Sequence, residues 1–164
     1  MKFRSWMMLM GLIWVAVLAP WFSSSVLAQW PYGAPTHPDA QRNALKLLQA
    51  QMDWFQNATR TAPSYGAAGY GNVWQNFQAL RDSYNGLKQT LSPQQLANGA
   101  NSLAELDAGL DIIAEAFTYY QEDVAAGQNP ISALRNMCRV LRQASSVWQQ
   151  ELNKTCNRIR VGWN

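Results

Sequence analysis

Four carboxylates, Asp107, Asp111, Glu115 and Glu122, recur at spacings of four, four and seven residues, which sets them on one face of a helix. Carboxylates so aligned can hold a cation or work as acid and base, provided that they converge in a cleft. A di-metal site in a helical bundle also needs Glu-x-x-His pairs, and the only histidine, His37, stands in a proline-rich stretch far from the acids. The stripe therefore reads as a solvated or salt-bridged face, and an enzyme built on Asp107 and Asp111 is the least favoured reading.

The lone histidine narrows the chemistry further. His37 would have to serve as base for every Ser, Cys or Thr nucleophile, a haem bundle needs an axial histidine or a Cys-x-x-Cys-His attachment, and two separated cysteines with one remote histidine make no zinc cluster. No cofactor and no metal are expected, and His37 reads as part of a helix cap.

The charges are partitioned along the chain. Between Asn98 and Gln128 there are six acidic residues and no Lys or Arg, whereas after Pro130 there are six basic residues and only Glu151. Folding the two segments together about Gln128 and Asn129 sets Arg135 beside Glu122 and Arg142 beside Glu115. Exposed pairs contribute only ~0.3 to 0.5 kcal/mol each, so register is their larger effect.

Tyr65, Tyr70 and Trp74, interleaved with Gly66, Gly69 and Gly71, form the best candidate interaction surface, with Trp54 a further aromatic that can join them. Such side chains can stack on a saccharide or anchor in a partner's groove; they can equally cover the open end of their own domain. Asn57-Ala58-Thr59 and Asn153-Lys154-Thr155 match glycosylation sequons but fall on expected helices.

Four amphipathic helices position these residues. Helix one starts near Pro38 or Asp39, capped by Thr36 or His37, buries Leu45, Leu48, Met52 and Phe55, and ends near Arg60. Residues 61–71 then read as the longest loop of the domain. Helix two carries Val73, Phe77, Leu80, Tyr84, Leu87 and Leu91 as a heptad seam. Ser92, Pro93 and Gln95 compose a stop and a capping box for helix three, whose seam is Leu103, Leu106, Leu110, Ile113, Phe117, Tyr120 and Val124. A second box at Ser102 and Glu105, after Asn98-Gly99, predicts a kink or a short separate helix before Ser102. Asn129 caps helix four, with Ile131, Leu134, Cys138, Leu141, Ser145, Trp148, Leu152 and Ile159 inward. No segment alternates as a half-buried strand does. The chain is read as all-α, an up-down-up-down antiparallel four-helix bundle over residues 39–160 with a tail at 161–164.

Cys138 and Cys156 lie eighteen residues apart on a stretch without Gly or Pro, so a continuous helix separates them by ~27 Å. A disulfide needs Cα atoms within ~7 Å. Either the helix ends early and the tail folds back, or the thiols are free, or they pair between two antiparallel copies in a twofold homodimer.

Residues 1–28 read as a secretory signal: Lys2 and Arg4 precede an apolar run from Met7 to Ala19, Pro20 breaks it, and Val26-Leu27-Ala28 forms a cleavage site before an extended leader at 29–38. The rival is an uncleaved anchor, since Trp6 to Phe22 reaches the ~17-residue lower limit of a span. The domain otherwise meets the membrane only during export. Of 13 basic residues, Lys2 and Arg4 leave with the signal, which lowers the formal charge from +3 to +1. That is too little for a nucleic-acid partner. The leading expectation is a small periplasmic or secreted bundle that acts by binding an unidentified protein, as an envelope structural component or adaptor; the alternative is a small-molecule or saccharide binder that uses the Tyr/Gly/Trp segment. N-terminal sequencing of exported protein is expected to begin at Gln29, whereas intact chain held in carbonate-washed membranes would support the anchor.

Overall fold

The heptad seams and caps read above become helices because each buries one apolar face against the others. The computed structural model describes residues 37–162, an all-α bundle of α1 (His37–Thr61), α2 (Ala67–Gln89), α3 (Pro93–Ala125) and α4 (Pro130–Arg158), with a 3-10 turn at Ala62–Ser64. The expected signal, the leader through residue 36 and residues 163 and 164 lie outside the described residues.

Leu48, Met52 and Phe55 of α1, Val73, Phe77, Leu80, Tyr84 and Leu87 of α2, Leu106, Leu110, Ile113 and Phe117 of α3, and Leu134, Cys138, Leu141, Trp148 and Leu152 of α4 compose one core. Ile131 departs from the expected stripe: it sits in the first turn of α4, beyond the end of the core, and is exposed. The α3 capping box forms as read, with the Ser92 hydroxyl accepting from the Gln95 N–H and the Gln95 side chain accepting from the Ser92 N–H. Asn129 accepts from the N–H groups of Ile131 and Ser132.

Contact partners run in opposite order along neighbouring helices. Gln41 meets Thr90 and Phe55 meets Phe77 between α1 and α2; Ser102 meets Arg158 and Leu106 meets Trp148 between α3 and α4. Backbones approach closely within each of these two pairs and, less extensively, between α1 and α4, whereas α2 and α3 stand farther apart. The close approach of α3 and α4 depends on missing side chains: a Cβ on Gly109 would reach 2.7 Å from the Trp148 ring, and one on Gly99 would reach 2.9 Å from Ile159.

Three expectations require correction. Residues 61–71 are not a long loop: the 3-10 turn and α2 absorb them, leaving only Tyr65 and Gly66 between, with Gly66 in the left-handed region at φ 58°. Gly69 lies within α2, where a Cβ would overlap the Ala62 carbonyl, so its role is close packing of the helix on the turn. The third helix is a single element of 33 residues rather than two. Ser102, read as a second cap, instead accepts a hydrogen bond from Arg158 at 2.6 Å. Finally, Val161 and Gly162 are packed residues rather than tail. The chain leaves α4 through a Schellman turn, with the Val161 N–H donating to the Cys156 carbonyl and Arg160 at φ 53°.

The two α2 glycines separate packing from propensity. Gly69→Ala is expected to destabilise the fold by more than about 1 kcal/mol, whereas Gly71→Ala, with open space at its Cβ, is expected to stabilise it by up to about 1 kcal/mol. Urea unfolding followed by circular dichroism measures both, and equal effects would refute the packing role of Gly69.

Candidate binding groove

The wider separation of α2 from α3 is spanned by large side chains near the start of α2. Tyr70 stacks on Tyr120 with ring centroids 4.6 Å apart and meets the edge of Phe117 at 5.9 Å. Trp74 meets Phe117 at 4.9 Å and Phe77 at 5.8 Å. These contacts leave an open groove of about 550 Å³ whose lining includes Tyr70, Trp74, Asp111, Glu115, Phe117 and Gln121. Gln121 donates to the Tyr70 hydroxyl at 2.9 Å, which fixes that phenol at the rim. Trp74 is 38% exposed despite its aromatic neighbours, so an amphipathic face is presented to solvent on a rigid helix.

The groove gathers only part of the expected aromatic surface. Tyr70 and Trp74 belong to it; Tyr65, in the turn before α2, and Trp54, on α1, are exposed and take no part in its lining. Asp111, Glu115 and Gln121 supply a polar wall that the sequence reading had treated separately or passed over. The available signal was the reversal at Ser92, which brings the start of α2 opposite the later half of α3.

Farther along the α2–α3 seam, two of the acidic residues are engaged. Lys88 Nζ lies 2.7 Å from Asp107 and 4.8 Å from the Tyr84 ring centroid. Arg81 reaches Asp111 at 3.5 Å. The pairs expected from the charge partition differ: among the described residues, neither Glu115 with Arg142 nor Glu122 with Arg135 comes within 4 Å. Arg142 donates instead to the Thr59 carbonyl of α1 at 3.3 Å. The acidic face of α3 is turned toward the cations of α2, which a comparison of α3 with α4 alone overlooks. No group of three His, Cys, Asp or Glu among the described residues is arranged to hold a metal.

Behind this seam, the Trp148 indole N–H donates to the Leu106 carbonyl at 2.8 Å and its ring meets Tyr84 edge-on at 5.4 Å. The Tyr84 hydroxyl donates to the Leu103 carbonyl at 3.2 Å. Burial, reinforced by the nearby Asp107 charge, raises the Tyr84 phenol well above its ordinary pKa.

The two thiols are free and buried on one uninterrupted α4, so the helix does not end early to bring them together. Burial pushes both up to about 11, with Arg142 partly opposing the shift at Cys138. The unfolded thiols ionise first as pH rises, so the unfolded state binds fewer protons and native stability falls as pH climbs from about 9 through 11. Native protein is expected to resist alkylation at pH 8, to yield two modified thiols after denaturation, and to lose stability over that alkaline window less steeply once Cys138→Ala and Cys156→Ala are combined. Alkylation counted by mass spectrometry and pH-dependent melting test this, and rapid native labelling would contradict the burial.

The chain matches no protein-family model, no curated protein and no solved structure, so the geometry of the groove is what bears on function.

Proposed function

We propose that this chain is an exported bundle, ordered up-down-up-down, that acts by binding another protein through the groove between α2 and α3, as an envelope structural component or adaptor. The opposed order of contact partners along neighbouring helices supports the topology. One observation carries the binding reading: Trp74 stays partly open beside a groove of about 550 Å³ although Phe77 and Phe117 already pack against it. A rigid aromatic beside polar groups is the composition of an interface anchor. No described helix is long and apolar enough to cross a membrane. Export rests on the signal-like residues 1–28.

A saccharide or small apolar ligand is the second reading, favoured by the aromatic wall with Gln121 and Asp111 at its edge. A carboxylate enzyme has less support, because Lys88 and Arg81 already engage Asp107 and Asp111.

Immobilised exported chain should retain a defined set of envelope proteins. Trp74→Ala should reduce that retention about thirtyfold, an anchor-sized loss of about 2 kcal/mol, while Trp54→Ala outside the groove leaves it unchanged. Equal retention by both variants would remove the groove from the binding surface, and saturable glycan binding sensitive only to Trp74→Ala would favour the second reading.

A further inference from the structure

The α2–α3 seam contains its own example of cation recognition. Lys88 is held at once by a carboxylate, Asp107 at 2.7 Å, and by an aromatic face, Tyr84 at 4.8 Å. One heptad toward the start of α2, Arg81 occupies the next position and reaches Asp111 at 3.5 Å. One heptad further, the residue is Trp74 rather than a third cation. One turn beyond Asp111 on α3 stands Glu115, which lines the same groove as Trp74. Among the described residues, Glu115 has no Lys or Arg within 4 Å.

The groove thus offers the pairing that holds Lys88, an aromatic surface and a carboxylate, with no Lys or Arg of the described residues within 4 Å of that carboxylate. Its setting reinforces the sign: α3 carries six acidic residues and no Lys or Arg between Asn98 and Gln128. A neutral or anionic occupant would leave Glu115 to water or oppose it. A basic side chain satisfies both walls, with its alkyl stem on the indole and its charge at the carboxylate.

Resting on the groove reading above, we infer that the partner protein inserts a basic side chain, a lysine ammonium or arginine guanidinium, between Trp74 and Glu115. Tyr70, whose hydroxyl accepts from Gln121, lines the same groove, and Asp111, the other carboxylate in that lining, is already engaged by Arg81. The contact is electrostatic at an open surface, so it weakens as salt is added.

The test uses capped tripeptides, acetyl-Gly-Arg-Gly-amide and acetyl-Gly-Lys-Gly-amide, with the citrulline peptide as the neutral isostere of arginine. The exported chain is titrated with each while the Trp74 indole N–H resonance is followed, assigned through Trp74→Phe. Both basic peptides should shift that resonance saturably in the millimolar range and bind about fivefold or more tightly than the citrulline peptide. Glu115→Gln should abolish the difference between arginine and citrulline, and so should salt near 0.5 M on an order-of-magnitude screening estimate of about 4 Å. Glu122→Gln, outside the groove, should leave it intact. Equal binding of arginine and citrulline peptides in the native chain overturns the cation assignment while leaving the groove as a binding surface. Absence of any saturable shift up to about 20 mM overturns it as well. Failure of the groove reading is distinguished separately, by Trp74→Ala retaining the envelope partners.

Discussion

A buried amide at one end of the bundle holds the helix ends in a common frame. Gln41 is 2% exposed; its carbonyl oxygen accepts from the Gly162 N–H at 2.8 Å, and its amide donates to the Thr90 carbonyl at 2.9 Å and to Gln95 Oε1 at 2.8 Å. Gln95 caps α3 and reaches the Ile159 carbonyl at 3.2 Å. One connected network therefore joins the start of α1, the α2–α3 reversal and the turn after α4. Each polar group left buried without a partner costs about 1 to 3 kcal/mol, so a slip of any one element disturbs several bonds together. Arg42 adds a 3.0 Å bond to the Gly162 carbonyl. With that end fixed, the opposite end of the 23-residue α2 is placed by a rod of about 35 Å, and the groove forms there.

Residue size decides how far each pair of helices separates. Gly69 admits the Ala62 turn, and Gly99 and Gly109 admit Ile159 and Trp148, so those neighbours approach closely. Across the first part of α2 and the later part of α3 the contacts are instead ring to ring, from Tyr70, Trp74 and Phe77 to Phe117 and Tyr120. Aromatic pairs prefer centroids about 4.5 to 7 Å apart, which keeps the backbones wider than small residues do. The groove is a consequence of that spacing, a place where rings hold two helices apart without filling the space at their rim.

Heptad seams, Ser92 and Asn129 were legible because local chemistry and tertiary packing favour the same structure there. The glycines at 69 and 71 were misread because glycine signals freedom and close approach alike, and only the neighbour, Ala62, separates the two. Ser102 carried a capping signature inside α3 but found Arg158 as a partner, which sequence spacing within one helix does not disclose. Arg160 takes the left-handed position usually given to Gly or Asn, so the turn that delivers Gly162 to Gln41 had no punctuation. Gln41 carries no local signal of its role, because its partners lie 49 to 121 positions away.

The acidic stripe shows how the same charges can be structural at one point and receptive at another. Asp107 and Asp111 face cations seven residues apart on α2, and those exposed pairs bias register with little stability of their own. The next α2 position in that series is the aromatic Trp74, and among the described residues Glu115, which lines the same groove, has no Lys or Arg within 4 Å. Arg142, the basic residue that sequence reasoning assigned to Glu115, is directed to the Thr59 carbonyl and thereby ties α4 to α1. With that arginine engaged at α1, Glu115 lines the groove with no Lys or Arg of the described residues within 4 Å. A seam that aligns two helices along part of its length therefore ends in a surface with the same recognition elements and an open place for a charge from outside.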